Sequence, residues 1–279
     1  MSAVGRMLRA SPFSGVLGGV ILLTAGLVSL VAANEEPADG EELAQWVYDR
    51  PEGDDAVQQG RMVLDGPGRS ERERSFYEYR LQIDDEEVWN LVRFTAPSDV
   101  ADTAMLTRDY PDGSTDQWLY LPALDRVRRV ASERMGGRFV DSDFFFEDLR
   151  DRKVRQDEHE YVGRDELEGL PVFRLESRPV EGDNSVYTLR DQWVHEESLV
   201  PLRIDYYQGD DEPAKRLTVQ ALEQHQGYWT VVESTMEDLD SGHQTRFLVE
   251  QVVYDQGLPQ DLFSRAALSD PGGERAYRP

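Results

Sequence analysis

From Ala56 onward the chain is patterned at period two, and its apolar runs are separated only by short polar turns. Tyr77, Tyr79, Leu81 and Ile83 alternate with Glu78, Arg80 and Gln82, and Leu202, Ile204 and Tyr206 alternate with Arg203 and Asp205. Successive side chains of a strand point to opposite faces, so each run is read as a half-buried strand. Further strand-like runs are Val88 to Phe94, Ala104 to Thr107, Gln117 to Leu121, Val172 to Glu176, Ser185 to Gln192, Arg216 to Leu222, Trp229 to Thr235 and Thr245 to Tyr254. Asp65-Gly66-Pro67-Gly68, Pro111-Asp112-Gly113, Glu181-Gly182-Asp183-Asn184 and Gln208-Gly209-Asp210 supply turns between them. Roughly ten successive strands with no helical crossovers exclude a parallel sheet and predict an antiparallel meander that curls. The expected class is therefore mainly β, with a small α contribution.

Two helical pieces flank this pattern. Leu43, Trp46 and Val47 fall at helical spacing after Gly40, Glu41 and Glu42 occupy the first turn, and Pro51 with Gly53 ends the run. Leu258-Pro259-Gln260-Asp261-Leu262-Phe263 reads as a helical turn with Pro near its start.

Residues 10–33 carry no charge, Arg6 and Arg9 precede them, and Val31-Ala32-Ala33 ends the run with small residues. The layout is that of a secretory leader over residues 1–33, cleaved after Ala33; retention as an inner-membrane anchor is the alternative. Residues 34–279 are then expected to form one domain. Removing Arg6 and Arg9 from the 30 basic residues leaves 28 against 55 acidic ones, a net charge of −27. Such a chain is an improbable partner for nucleic acid.

The chain lacks cysteine, which removes disulfides, thiolate nucleophiles and a lipidated cysteine. His159, His195, His225 and His243 are too scattered to spell a metal site, and His195-Glu196 lacks the second histidine of a zincin. No G-x-S-x-G occurs. Asp112-Gly113-Ser114-Thr115-Asp116 lacks the ligand series of a calcium loop and reads as a solvated turn. No metal, cofactor or catalytic residue is expected, and a hydrolase is disfavoured.

The segment Asp116 to Leu149 concentrates what remains. Trp118, Leu119, Tyr120 and Leu121 leave neither face of a strand polar, so both need an apolar cover, one of which could be a ligand. Alternation pairs Trp118 with Tyr120 and Leu119 with Leu121, without saying which pair faces a cavity. Arg126, Arg128 and Arg129 form the densest basic cluster. They either neutralise acids such as Asp141, Asp143, Glu147 and Asp148 or contact a phosphate or an acidic partner. Phe144, Phe145 and Phe146 cannot share one face, and are read as a plug of the core or a lid over a ligand.

Trp118-Leu119-Tyr120-Leu121-Pro122-Ala123-Leu124, the following Arg126-Val127-Arg128-Arg129-Val130 and Phe139-Val140-Asp141-Ser142-Asp143-Phe144 resemble the LolA-like outer-membrane lipoprotein-sorting family. So do Asp49-Arg50-Pro51-Glu52-Gly53-Asp54-Asp55, the segment Phe94 to Ala104, Gly257-Leu258-Pro259, and Thr235 to Leu239 with His243. Asp141 stands where the family usually has Gly, which bears on the local loop geometry. The resemblance implies an open antiparallel half-barrel, LolA/LolB-like, whose concave face is covered by helices, with the N-terminal helix and the Met135 to Leu149 segment as candidates. It also implies a monomeric periplasmic carrier without enzymatic activity, for lipoprotein acyl chains or another lipid. The candidate cavity residues are Trp46, Trp118, Leu119, Tyr120, Leu121, Phe144, Phe145 and Phe146, with Arg126, Arg128 and Arg129 contacting a headgroup or partner. The alternative is a non-carrying accessory subunit of an RND/MMPL-type exporter.

Overall fold

The computed structural model describes residues 36–68, 70–131, 134–182 and 184–279; the expected leader lies outside the described residues. Among the described residues, helix α1 (Gly40–Tyr48) precedes thirteen strands. The first six are β1 (Asp55–Asp65), β2 (Arg72–Asp84), β3 (Glu87–Ala96), β4 (Ala104–Asp109), β5 (Thr115–Leu121) and β6 (Arg126–Arg129). The remaining seven are β7 (Asp157–Leu167), β8 (Leu170–Pro179), β9 (Leu189–His195), β10 (Pro201–Tyr207), β11 (Lys215–His225), β12 (Tyr228–Asp238) and β13 (His243–Tyr254).

All thirteen lie in one sheet, ordered β6-β5-β4-β3-β2-β1-β13-β12-β11-β10-β9-β8-β7. Every pairing is antiparallel, and the only neighbours not consecutive in sequence are β1 and β13. The chain thus lays down one meander outward to β6, crosses to the opposite edge through residues 130–156, and returns by a second meander to β13.

That crossing fixes the shape. The Phe146 carbonyl accepts a hydrogen bond from Gln117 Nε2 on β5 at 2.8 Å, while the next residue, Glu147, pairs with Arg190 on β9. In a flat sheet the nine strand spacings from β5 to β9 would separate those strands by roughly 40 Å. Neighbouring Cα atoms are only about 3.8 Å apart, so the sheet must curl around this segment. The face toward it is concave, and edges β6 and β7 remain unjoined.

Cross-strand partners share a face, so the register sorts the side chains. The row Glu78, Val92, Met105, Leu119, Arg128 lies on the concave side of β2 to β6. The row Val57, Tyr79, Leu91, Leu106, Trp118 lies on the convex side, under Leu258, Leu262, Phe263 and Leu268 of the C-terminal segment. That segment is anchored by Arg93, which is 0% exposed. Its guanidinium donates to Glu274 at 2.6 Å and to the carbonyls of Leu268 and Ala267 at 3.1 and 3.0 Å.

Three expectations need amendment. Leu202, Ile204 and Tyr206 do not share a face, because the register shifts between Pro201 and Arg203 and sends Leu202 into a cluster with Val172, Trp193 and Val219, away from Tyr206. Strands β6 and β7 escaped the apolar pattern because both are sheet edges, largely exposed and polar. The Met135 to Leu149 segment is not a helix: it holds only two short 3-10 turns, Phe139–Asp141 and Glu147–Leu149. Val140 and Asp141 sit at φ 44° and 59°, so Asp141 takes up the left-handed conformation that the family's Gly adopts freely.

Helix α1 forms as its sequence dictates, with Asp39 capping the Glu42 amide at 2.9 Å. It seats Leu43 and Ala44 on Phe173, Leu175 and Val194 of β8 and β9. Gly40 is required there, since a Cβ would come within 2.4 Å of the His159 carbonyl on β7.

Candidate functional site

The concave interior is filled by the crossing segment. Phe139 (1% exposed) and the part-buried Phe146 pack with Met62, Phe76, Phe94, Met105 and Leu119, whereas Phe144 and Phe145 pack with Tyr187, Tyr206 and Met236 on the other half of the sheet. Phe139 stands 5.8 Å from Phe94 and 6.0 Å from Phe146 between ring centroids, and Phe145 stacks on Tyr187 at 6.0 Å. Four phenyl rings therefore tie together apolar patches from both meanders.

Polar pins hold this plug. Asp143 (3% exposed) and Thr245 hold each other: the Asp143 N–H donates to Thr245 Oγ1 at 2.9 Å, and Thr245 Oγ1 donates to the Asp143 carboxylate at 2.8 Å. Arg138 pairs with the same carboxylate. Asp148 accepts from Tyr187 Oη at 2.8 Å and from the Phe145 amide at 2.7 Å, and lies 3.5 Å from Lys215 Nζ. Both side chains of that ion pair are only 2% exposed. Burial lowers the Lys215 ammonium to about 8 and raises the Asp148 carboxyl, each partly offset by the other's charge.

Beside the plug the concavity stays open and polar. A cleft of about 720 Å³ is lined by Tyr48 and Gln45 of α1, Arg50, Glu52, Arg80 and Asp151, among others. It shares Glu52, Arg80 and Asp151 with a cavity of about 240 Å³ that reaches Glu78, Val92, Met105 and Leu149. The Glu78 carboxyl makes no hydrogen bond with the described residues, and burial raises it to about 7, opposed by Arg80 and reinforced by Glu52. Asp109, 1% exposed, is raised to about 6 by burial despite bonds from Thr115 and the Asp151 amide.

A carboxyl raised on folding stabilises the fold most below its unfolded pKa, and the contribution disappears as pH rises through the folded value. For Glu78 and Asp109 that window runs from about 4.5 and 3.8 up to about 7 and 6. The melting temperature should rise as pH falls from 7.5 to 5. Glu78→Gln should remove on the order of 1–2 kcal/mol of that dependence, allowing for its partial exposure. An unchanged slope in the variant would show that Glu78 does not titrate there.

The expected site residues divide between the two faces. Leu119 lies in the concave cluster with Phe139 and Phe146; Trp118 and Tyr120 lie on the convex side with Leu258 and Phe263. Leu121 is half-buried, and alternation puts it on the side of Leu119. Trp46 packs edge-on to Phe173 at 6.5 Å under α1, at the far end of the concavity from Leu119. The acids expected near the basic cluster are engaged elsewhere: Asp141 with Arg72, Asp143 with Arg138, Glu147 with Arg190 and Asp148 with Lys215. Arg129 pairs with Asp116, while Arg126 and Arg128 are exposed and form no ion pair with the described residues. The sequence reading missed Arg190, Lys215 and Glu78. In a chain this charged, nothing local marks which ionisable groups are buried.

A family model described as "Uncharacterized protein" matches residues 86–270. No curated protein matches the chain. A crystal structure of an outer membrane lipoprotein-sorting protein domain from Vibrio parahaemolyticus is similar with a TM-score of 0.78 and 29% identity, over 82% of this chain and 98% of that one. A DUF1329 family protein from Desulfovibrio piger gives the same TM-score and identity, over 82% and 97%. A LolA superfamily protein from Nitrosomonas europaea, at 15% identity and a TM-score of 0.65 over 82% and 99%, shares the fold. With an open, curled antiparallel sheet enclosing a helix and a crossing segment, and with these matches across most of its length, the chain belongs to the LolA-like outer-membrane lipoprotein-sorting family.

Proposed function

We propose that this protein is a periplasmic carrier of acyl chains or another apolar cargo, without enzymatic activity, and that it holds its cargo space closed with its own residues. The observation that carries the reading is the set of phenyl rings 139 and 144–146 occupying the concave face between the two meanders. Rings and acyl chains are interchangeable covers for the same apolar wall, since burial of apolar area is non-directional. Binding would then swing the crossing segment out and lay cargo against Met62, Phe76, Met105, Leu119 and Met236. Leu119 belongs to the cargo wall; Trp118 and Tyr120 support the fold from behind.

Titration with a fluorescent fatty acid tests this. Wild type should bind, Trp118→Ala should lose stability with little change in affinity, and Leu119→Ala should lose affinity. Absence of binding by the wild type would remove the carrier reading. The second reading, an accessory subunit that docks on an RND/MMPL-type exporter, is favoured by the exposed Arg126 and Arg128 on edge strand β6 of an otherwise acidic protein. Capture by an exporter's periplasmic domain without lipid binding would select it.

A further inference from the structure

The plug carries a charge as well as rings. Glu147, 5% exposed, ends the aromatic run, and its carboxylate is held by three donors: the Arg190 guanidinium, the Ser185 hydroxyl, and the Val186 amide at 2.7 Å. None of the three belongs to the plug. A guanidinium, a hydroxyl and a backbone N–H converging on one point form an oxyanion receptor, with charge-assisted bonds as its strongest element. Arg190 has capacity to spare: its Nη1 is buried without a hydrogen bond among the described residues, and Asp157 Oδ1 stands 3.7 Å away. The adjoining cavity of about 190 Å³ is lined by Arg50, Arg152, Lys153 and Arg190 against Asp151 and Asp157, an excess of positive charge in a protein of net charge −25.

We infer that the plug imitates its cargo in both parts, and that the cargo is an anionic amphiphile whose oxyanion head replaces Glu147 on Arg190, Ser185 and Val186. The inference rests on the carrier reading. When the crossing segment leaves, it withdraws the rings from the apolar wall and the carboxylate from the receptor together. A neutral amphiphile restores only the first cover, leaving a buried guanidinium without its partner, and an unpaired buried charge is strongly disfavoured. An acyl chain bearing a phosphate or carboxylate restores both.

The test is displacement of a fluorescent apolar probe by hexadecyl phosphate, hexadecanoate and hexadecanol, with inorganic phosphate as a fourth competitor. In the wild type both anionic amphiphiles should compete at least tenfold more strongly than hexadecanol, and inorganic phosphate should not displace the probe. In Glu147→Gln/Arg190→Met, which removes both charges and strands neither, the preference should fall below threefold while hexadecanol competes as before. Glu147→Gln alone frees the receptor and should strengthen the anionic competitors. Equal competition by hexadecanol and hexadecyl phosphate in the wild type, or a preference that survives the double substitution, overturns the headgroup assignment and leaves the carrier reading standing. Displacement by inorganic phosphate alone overturns it in favour of a free-anion site. Failure of the probe to bind at all ends both.

Discussion

Lys215→Met is expected to destabilise the protein by about 3–5 kcal/mol, because removing one member of a buried ion pair leaves the other charged and dry. At roughly 2–4 °C per kcal/mol for a chain of this size, the melting temperature should fall by about 10 °C. Lys215 Nζ lies 3.5 Å from Asp148, donates to the Asp143 carbonyl, and sits 3.0 Å from the centre of the Phe145 ring, so one ammonium ties three points of the plug to β11. The same substitution should make stability more acid-seeking. Burial already raises the Asp148 carboxyl, and loss of the cation raises it further, so stability returns as pH falls toward the unfolded carboxylate value. Lys215→Met/Asp148→Asn should recover about half of the loss, since the Asn oxygen can accept from the Phe145 amide while its NH2 donates to the Tyr187 hydroxyl. Denaturant titrations at pH 7 and pH 5 measure both effects; a single variant within 1 kcal/mol of wild type would mean that water reaches the pair.

Phe139→Ala should cost about 3–5 kcal/mol as well, the usual penalty for deleting a buried aromatic side chain together with the cavity left behind. The ring is 1% exposed and joins Phe94 on the wall to Phe146 in the plug. Unlike an ordinary core deletion, this one empties space that the account assigns to cargo. Affinity for a fluorescent fatty acid should therefore rise, by about fivefold, while stability falls. Parallel melting and titration of the variant check this, and a fall in affinity together with stability would assign Phe139 to the static core.

Much of the architecture was legible from period-two alternation, because strand side chains alternate by geometry alone. Tyr77, Tyr79, Leu81 and Ile83 do line one cluster, and α1 begins and ends where its cap and Pro51 dictate. The failures have physical causes. The bulge beside Leu202 adds one residue and reverses the face of everything beyond it, which no periodicity can announce. The crossing segment has no period because its rings point to two walls, and its ordering comes from partners distant in sequence: Gln117, Arg190 and Thr245 lie 29, 43 and 102 residues from the groups they hold. For the site, the aromatic run was readable as a plug or lid. The side of the sheet that Trp118 faces depended on where the C-terminal segment packs.

The most direct test of the plug is to fasten it. Asp143 and Thr245 exchange two hydrogen bonds, of 2.9 and 2.8 Å, across the boundary between plug and sheet. The chain has no cysteine, so Asp143→Cys/Thr245→Cys introduces a single thiol pair across that boundary, and its oxidation would join the plug to the sheet. Fluorescent fatty-acid affinity is then measured on the same protein before and after oxidation. The account predicts binding by the reduced form and at least a tenfold loss on oxidation, reversed by reductant. Equal binding by the two forms would contradict it, because cargo would then enter without the plug leaving.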